Sequence, residues 1–355
     1  MTNIASPLKI ACHPERLETF LQGEHVYPIS IELDITTECS SRCAHCPSAM
    51  RPSIECLPID NVEKLFACVA GQTRGLLLSG GEPTMASTFP DVLRLARAYG
   101  FEDVAIVSNG SRLADDRVVS ALLADASAVR VSLYGWEEEG PGAQLQEVLE
   151  NIEALRSRIE NEHSPLEIGF SVLTSSAMVP DLSRIIRTVH DAGAHWIYFH
   201  PMCKGWGAAR LSRFDQRGVQ QEVEACAQSL DNGCEVMLCP DRYNLTEIQF
   251  DEYYTAHFLL VVGADGCNYL GTEVKYQPDF VIADLSQEWD ERFLWRQSRL
   301  ARIRKADSRT YPSVGGRHRG ILYSDLLQRL KTGQEDLVDV VSRACGTDLR
   351  YLHIL

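Results

Sequence analysis

Six times between Tyr27 and Leu230 the chain repeats one pattern: a short apolar run, a turn of small polar residues, and then apolar residues at helical spacing. The apolar runs are Tyr27 to Leu33, Gly75 to Leu78, Val104 to Val107, Val129 to Leu133, Leu166 to Leu173 and Trp196 to Phe199. Helical patterns follow at Leu57 to Ala70, up to Tyr99, and then at Asp115 to Ala124, Gln144 to Ile159, Leu182 to His190 and Gln216 to Leu230. In the first of these, Val62, Leu65, Phe66 and Val69 share one face. Strand and helix in strict alternation require a parallel sheet, because parallel neighbours need crossovers, and these are right-handed with the helices outside. Such a sheet either closes or stays a partial barrel. In both cases functional groups gather at the carboxyl ends of the strands. The expected fold class is α/β.

Three turns at that end are chemically informative. The first strand leads into Thr36-Thr37-Glu38-Cys39-Ser40-Ser41-Arg42-Cys43-Ala44-His45-Cys46, a C-x3-C-x2-C pattern. A loop of this size can bring three thiolates toward a common point, as zinc or an iron-sulfur cluster requires. Structural zinc needs a fourth protein ligand, and His45 lies between two of the thiols. Three cysteines on a four-iron cluster instead leave one iron open to a small chelating molecule. On spacing alone both readings stand. The second strand ends in Ser79-Gly80-Gly81-Glu82-Pro83-Thr84 and the third in Ser108-Asn109-Gly110. Taken singly, each is also an ordinary turn before a helix.

Length and charge narrow the classes. With 355 residues, 45% hydrophobic and 23% charged, the chain can bury a full core in about one or two domains. A net charge of -15 argues against a nucleic-acid partner, which needs clustered Lys and Arg. The first residues lack the basic start and apolar run of a secretory signal, and no run is long enough to cross a bilayer. Twelve cysteines in such a chain indicate free thiols and metal ligands in a reducing cytoplasm. The expected organisation is an N-terminal extension over 1–25, a barrel over 26–232 and a C-terminal region over 233–355. That last region reads as a further strand at Cys234 to Cys239, a hairpin from His257 to Leu270 about Ala264-Asp265-Gly266, a strand from Phe280 to Leu285, and a helix carrying Trp289, Phe293, Leu294 and Leu300.

In this order the motifs resemble those of the radical S-adenosylmethionine (SAM) superfamily. The resemblance implies a partial (β/α)6 barrel of the radical SAM type with a small α+β C-terminal extension. It implies one [4Fe-4S] cluster on Cys39, Cys43 and Cys46, with SAM on the open iron. Gly80, Gly81, Glu82 and Pro83 become the turn whose backbone receives the SAM ammonium. Ser108, Asn109 and Ser132 fall at positions that help hold its ribose and methionine portions, and His45 becomes a stacking residue rather than a ligand. One electron from an external flavodoxin- or ferredoxin-type reductant then cleaves SAM to methionine and a 5'-deoxyadenosyl radical, which abstracts hydrogen from an unactivated carbon. The C-terminal region resembles the SPASM or twitch extension, which usually holds auxiliary clusters. Only Cys267 and Cys345 follow the start of its hairpin. A complete auxiliary site would need Cys234, Cys239 and Cys267 to combine with Cys226 or Cys203, and a redox-neutral outcome is easier without one.

Substrate contacts follow from strand alternation. Period two puts Arg130, Ser132 and Tyr134 on one face and Trp196, Tyr198 and His200 on another. Buried polar groups need partners. Arg130 suits the SAM carboxylate or a substrate acid, and an internal salt bridge suits it as well. The chain further resembles radical SAM enzymes that modify sugars in antibiotic biosynthesis. That implies redox-neutral dehydration, with decarboxylation to follow, of a small-molecule sugar acid nucleoside such as cytosylglucuronic acid. Tyr134, His200 and Lys204 are then the acid-base residues, and Arg130, Tyr198 and Arg317 the substrate contacts. The alternatives are a sugar dehydrogenase with an auxiliary cluster, an epimerase with Cys203 as thiol hydrogen donor, and a zinc-binding interaction module.

Overall fold

The structure is a computed structural model that describes residues 6–355 apart from 42, 44–45, 47–52, 134–135, 138–139, 175, 202–217, 219–220, 223–224, 226–227, 229–234, 239–247, 286–289 and 312–318. Five of the six expected units are present in full, and so is the strand of the sixth. Strand β1 (Ser30–Asp34) is followed by α2 (Ile59–Val69), after a short α1 (Pro14–Leu21) in the N-terminal extension. Then come β2 (Gly75–Ser79) and α3 (Phe89–Ala98), β3 (Asp103–Ser108) and α4 (Asp116–Asp125), and β4 (Ala128–Leu133) and α5 (Ala143–Glu162). Next are β5 (Glu167–Thr174) and α6 (Leu182–Asp191), then β6 (Trp196–Pro201). The helix expected over 216–230 falls largely outside the described residues. Local chemistry sets the boundaries: at α4 the Asp115 carboxylate caps the free amides of Arg117 and Val118.

The C-terminal region supplies β7 (Glu235–Leu238), β8 (Leu259–Val262), β9 (Cys267–Tyr269) and β10 (Val281–Asp284), followed by α7 (Gln297–Arg304), α8 (Arg319–Lys331) and α9 (Leu337–Cys345). These ten strands form one sheet in the order 10-9-8-1-2-3-4-5-6-7. From β8 to β7 every neighbour is parallel, and β9 and β10 add as antiparallel strands at one edge. The expected hairpin at Ala264-Asp265-Gly266 is therefore present, and its first strand also extends the barrel sheet, with Ser30 opposite Leu259 and Leu33 opposite Val262.

Alternation divides the two faces cleanly. Ile31, Leu33, Leu76, Leu78, Val104, Ile106, Val129, Val131, Phe170, Val172, Ile197 and Phe199 pack against the helices in one continuous buried core. The opposite, concave face carries the other set, including Glu32, Asp34, Arg130, Ser132, Ser171, Trp196, Tyr198 and His200. An apolar outer core of this kind drives folding, and the inner face is left free for chemistry.

Both terminal segments close the amino-terminal mouth of that concave face. Ile354 packs with Leu77, Ala105 and Ala128, and Tyr351 with Trp196 and Met237. The Arg350 guanidinium spans Glu167 and Glu235 at the starts of β5 and β7, with N–O distances of 2.6 Å to each. Lys9, fully buried, donates its ammonium to the Ile354 carbonyl. The tail lies so close to β2 that a Cβ at Gly75 would meet the His353 carbonyl oxygen at 1.7 Å. Among the described residues no helix is long and apolar enough to cross a membrane.

Candidate active site

The cysteine loop leaves the carboxyl end of β1 and is pinched shut at its base. The Thr37 amide donates to the Glu55 carbonyl at 2.8 Å, the Glu55 amide to the Thr37 hydroxyl at 2.8 Å, and the Leu57 amide to the Ile35 carbonyl at 3.0 Å. The Thr36 hydroxyl accepts from the Glu38 amide at 3.0 Å, which turns the chain into the loop. Within it the Cys46 amide donates to the Cys43 carbonyl at 3.2 Å. Cys39, Cys43 and Cys46 take part in no disulfide, and each is partly exposed.

The Gly-Gly-Glu-Pro turn is bonded directly to this loop. The Gly81 amide donates to the Thr36 carbonyl at 2.8 Å and the Glu82 amide to the Glu38 carbonyl at 2.6 Å. A Cβ on Gly80, which has φ of +118°, would lie 2.4 Å from the Thr36 oxygen, and one on Gly81 would lie 2.1 Å from the Glu38 oxygen. Both glycines therefore let two backbones touch. Those two amides are engaged by the loop itself.

Glu82 ties the second turn to the third. One carboxylate oxygen accepts from the Thr84 hydroxyl at 2.5 Å and the Ser108 hydroxyl at 2.9 Å; the other accepts from the Asn109 amide at 2.6 Å. Burial raises its pKa, and these donors pull in the opposite direction. Ser108 also accepts from the Gly110 amide at 3.0 Å, so its hydroxyl is occupied within the protein. The Asn109 side-chain nitrogen Nδ2 donates toward the Cys39 sulfur at 3.7 Å, the Ser40 hydroxyl at 3.0 Å and the Ser41 hydroxyl at 3.1 Å. The Ser41 amide donates to the same sulfur at 3.3 Å. Burial raises the Cys39 pKa, and the Ser41 and Asn109 donors oppose it.

These donors fit an iron-sulfur ligand. Amides directed at a ligating sulfur disperse its charge and tune a cluster. Among the described residues no three His, Cys, Asp or Glu side chains are grouped so as to hold a metal ion.

Further along the concave face the Ser171 hydroxyl and His200 Nε2 lie 2.7 Å apart, and the Tyr198 and His200 rings stack with centroids at 5.2 Å. Arg130 is registered beside Gly169, and Ser132 beside Ser171. The structure thus brings together Arg130, Ser132, Tyr198 and His200 on one face. His45, Tyr134, Lys204, Arg317 and Cys203 lie outside the described residues.

Several residues that no motif announces complete the wall. Glu32 and Asp34, both buried, point inward from β1. Lys275 donates to Glu32 at 2.9 Å and to Asp34 at 2.7 Å, Tyr276 donates to Asp34 at 2.7 Å, and Thr272 to Glu32 at 2.8 Å. Arg319 adds a contact to Glu32 at 3.3 Å. Burial opposes ionisation of Glu32, but Lys275 and Arg319 outweigh it and hold its pKa low, whereas burial wins at Asp34 and raises it. The alternation Ser30-Ile31-Glu32-Leu33-Asp34 places both carboxylates on one face, a signal in the sequence that the motif reading passed over.

Comparison with known proteins agrees with this geometry. Residues 33–174 match the radical SAM superfamily. GTP 3',8-cyclase of Chlorobaculum tepidum is 33% identical over 113 residues, 31% of this chain and 34% of that protein. GTP 3',8-cyclase 2 of Pseudomonas aeruginosa is 31% identical over 139 residues, 36% of this chain and 41% of that protein. The chain therefore spans well under half the length of these curated relatives. Among solved structures, Streptococcus suis SuiB bound to S-adenosylmethionine superposes with a TM-score of 0.63 at 12% identity, covering 82% of this chain and 71% of that one. The same protein bound to its precursor peptide SuiA gives 0.64 at 11% identity, covering 86% and 73%. The anSMEcpe enzyme with bound AdoMet gives 0.57 at 13% identity, covering 88% and 99%. These matches and the cysteine loop imply a [4Fe-4S] cluster and SAM as cofactors, and this chain carries a radical SAM domain over residues 33–174.

Proposed function

We propose that this enzyme dehydrates a sugar acid nucleoside such as cytosylglucuronic acid without net redox change, with decarboxylation to follow, the reaction type of cytosylglucuronate decarboxylase in blasticidin S biosynthesis. The observation that carries the reading is the single inner face holding Arg130, Ser132, Ser171, Tyr198 and His200. When bound, the cluster and SAM supply a radical able to remove hydrogen from a sugar carbon. The remaining work belongs to the protein's own residues. Arg130 offers a guanidinium to the substrate carboxylate, a pairing that suits its planar fork. His200, held by Ser171, moves the proton that accompanies loss of the neighbouring hydroxyl as water. Tyr198 presents a ring and a hydroxyl to the sugar or base, Tyr134 and Lys204 join His200 as acid-base groups, and Arg317 joins Arg130 on the substrate acid. The cluster thiols are Cys39, Cys43 and Cys46, and the SAM contacts are drawn from His45, Gly80, Gly81, Glu82, Pro83, Ser108, Asn109 and Ser132.

A second reading has its own support. The relatives are named for a reaction on GTP, an anionic nucleotide, and the Arg130 guanidinium suits a phosphate as it suits a carboxylate. One experiment separates the two: anaerobic incubation of holoenzyme with SAM and a flavodoxin-type reductant against hexuronic nucleosides, GTP and a short peptide. The first reading expects 5'-deoxyadenosine together with a product lighter by water, or by water and carbon dioxide, from a hexuronic nucleoside alone. Turnover of GTP or of the peptide with none of the sugar acids would overturn it. A two-hydrogen loss or deuterium uptake from solvent would instead indicate a dehydrogenase or an epimerase.

A further inference from the structure

Lys275 and Tyr276 are consecutive, and successive side chains of an extended chain point to opposite sides. Here both reach one carboxylate: Lys275 Nζ lies 2.7 Å from Asp34 Oδ1 and Tyr276 OH 2.7 Å from Asp34 Oδ2. What makes this possible is the backbone at Tyr276, with φ of +65°, a left-handed conformation that a bulky aromatic residue adopts only where its surroundings enforce it. Enforcement is visible on every side. The Tyr276 hydroxyl also accepts from the Ala264 amide at 3.2 Å, its ring packs against Tyr269 at 5.7 Å, and Tyr269 donates to Asp265 at 2.5 Å. The Lys275 ammonium continues to Glu32 at 2.9 Å, so one cation holds both inward carboxylates of β1.

Asp34 is the last residue of β1. A Cβ on Gly80 would lie 3.1 Å from the Asp34 Cβ, and two residues on, the Thr36 carbonyl accepts the Gly81 amide. The carboxylate held by Lys275 and Tyr276 thus belongs to the residue on which the Gly80–Gly81 turn rests and from which the cysteine loop departs. Neither residue falls within the matched segment 33–174.

We infer that Lys275 and Tyr276 are positioning residues of the radical SAM site, which fix Asp34 and through it the relative placement of the cysteine loop and the Gly80–Gly81 turn for SAM. The inference rests on that loop and turn being where SAM binds. It assigns to the C-terminal region a share in building the cofactor site.

The test uses anaerobically reconstituted holoenzyme and reads the equilibrium dissociation constant for SAM, together with the change in the electron paramagnetic resonance spectrum of the reduced cluster on adding SAM. Tyr276→Phe, which removes one oxygen, and Lys275→Met each weaken SAM binding by about tenfold, the scale of one hydrogen bond to a charged group, with iron content unchanged. Asp34→Asn combined with Lys275→Met removes the charge that Lys275→Met leaves at Asp34, while Arg319 still faces Glu32, and recovers most of the affinity, which a loss of folded protein would not do. Unaltered SAM affinity and spectrum in both single variants would overturn the inference, as would a double variant no better than Lys275→Met. Cys43→Ser is the control for the site itself. It abolishes SAM binding if SAM sits on the cluster, and retained binding there would remove the underlying reading and this one together.

Discussion

At the scale of single residues the site is braced by groups that face one another. Glu82 is the clearest case, because every neighbour of its carboxylate is a donor: Thr84, Ser108 and the Asn109 amide. Glu82→Gln keeps the shape but turns an NH2 group toward those donors. The expected cost is about 2 kcal/mol, the price of leaving buried donors unpaired, read as a lower urea midpoint at unchanged slope. Gly81→Ala should act differently, since its Cβ would stand 2.1 Å from the Glu38 oxygen and force loop and turn apart. Iron per chain after anaerobic reconstitution should fall well below wild type, while the far-ultraviolet circular dichroism stays the same. The cysteines and the Gly-Gly-Glu-Pro turn were legible because both are contiguous motifs. The internal engagement of Ser108 was not, because its partner Glu82 lies 26 residues away. Still less so was the Lys275 clamp, which joins residues 241 apart in sequence through a backbone conformation that no propensity favours at tyrosine.

At the scale of elements the strand and helix alternation was readable from Tyr27 to Phe199, because a strand with one apolar face and an amphipathic helix each leave a periodic trace. The strand at Tyr27 to Leu33 begins three residues later, at Ser30, since Pro28 has no amide to give to a ladder. What alternation does not encode is which strands become neighbours. The C-terminal hairpin was visible from its Ala-Asp-Gly turn, yet its parallel pairing with β1 depends on the whole sheet. The tail from Arg350 to Leu355 is too short to show any period, and it nonetheless spans the mouth of the sheet. Arg350→Ala should release it. Arg350 pairs with both Glu167 and Glu235 while partly exposed, and its loss should cost about 1 to 2 kcal/mol. Hydrogen exchange should quicken at the first residues of β5, β6 and β7 and stay unchanged in the pinched base of the cysteine loop.

At the scale of the whole molecule a chain of charge -15 keeps its surface acidic and gathers Lys9, Arg130, Lys275 and Arg319 about the concave face. Lys9 records the consequence. Burial first, and then Arg319, lowers its pKa from 10.5 to about 7. The folded state therefore holds fewer protons than the unfolded chain between pH 7 and 10.5. Stability from this group rises with pH through that window and is withheld below it. Comparison of Lys9→Met with wild type by thermal unfolding should show the wild type gaining on the variant from pH 7 to pH 9, and equal pH slopes would refute the assignment. The same lysine has a second consequence, which concerns time rather than charge. Its ammonium meets the Ile354 carbonyl across 345 positions of sequence, and β1 must wait for Leu259 to find its outer neighbour. The ring of bonds between Thr36, Thr37 and Glu55 needs only a segment about twenty residues long. On a ribosome the base of the cysteine loop can thus close early, while the mouth of the sheet stays unsealed until Ile354 has emerged. This leaves an interval in which iron and sulfide can reach thiols that the finished protein half covers.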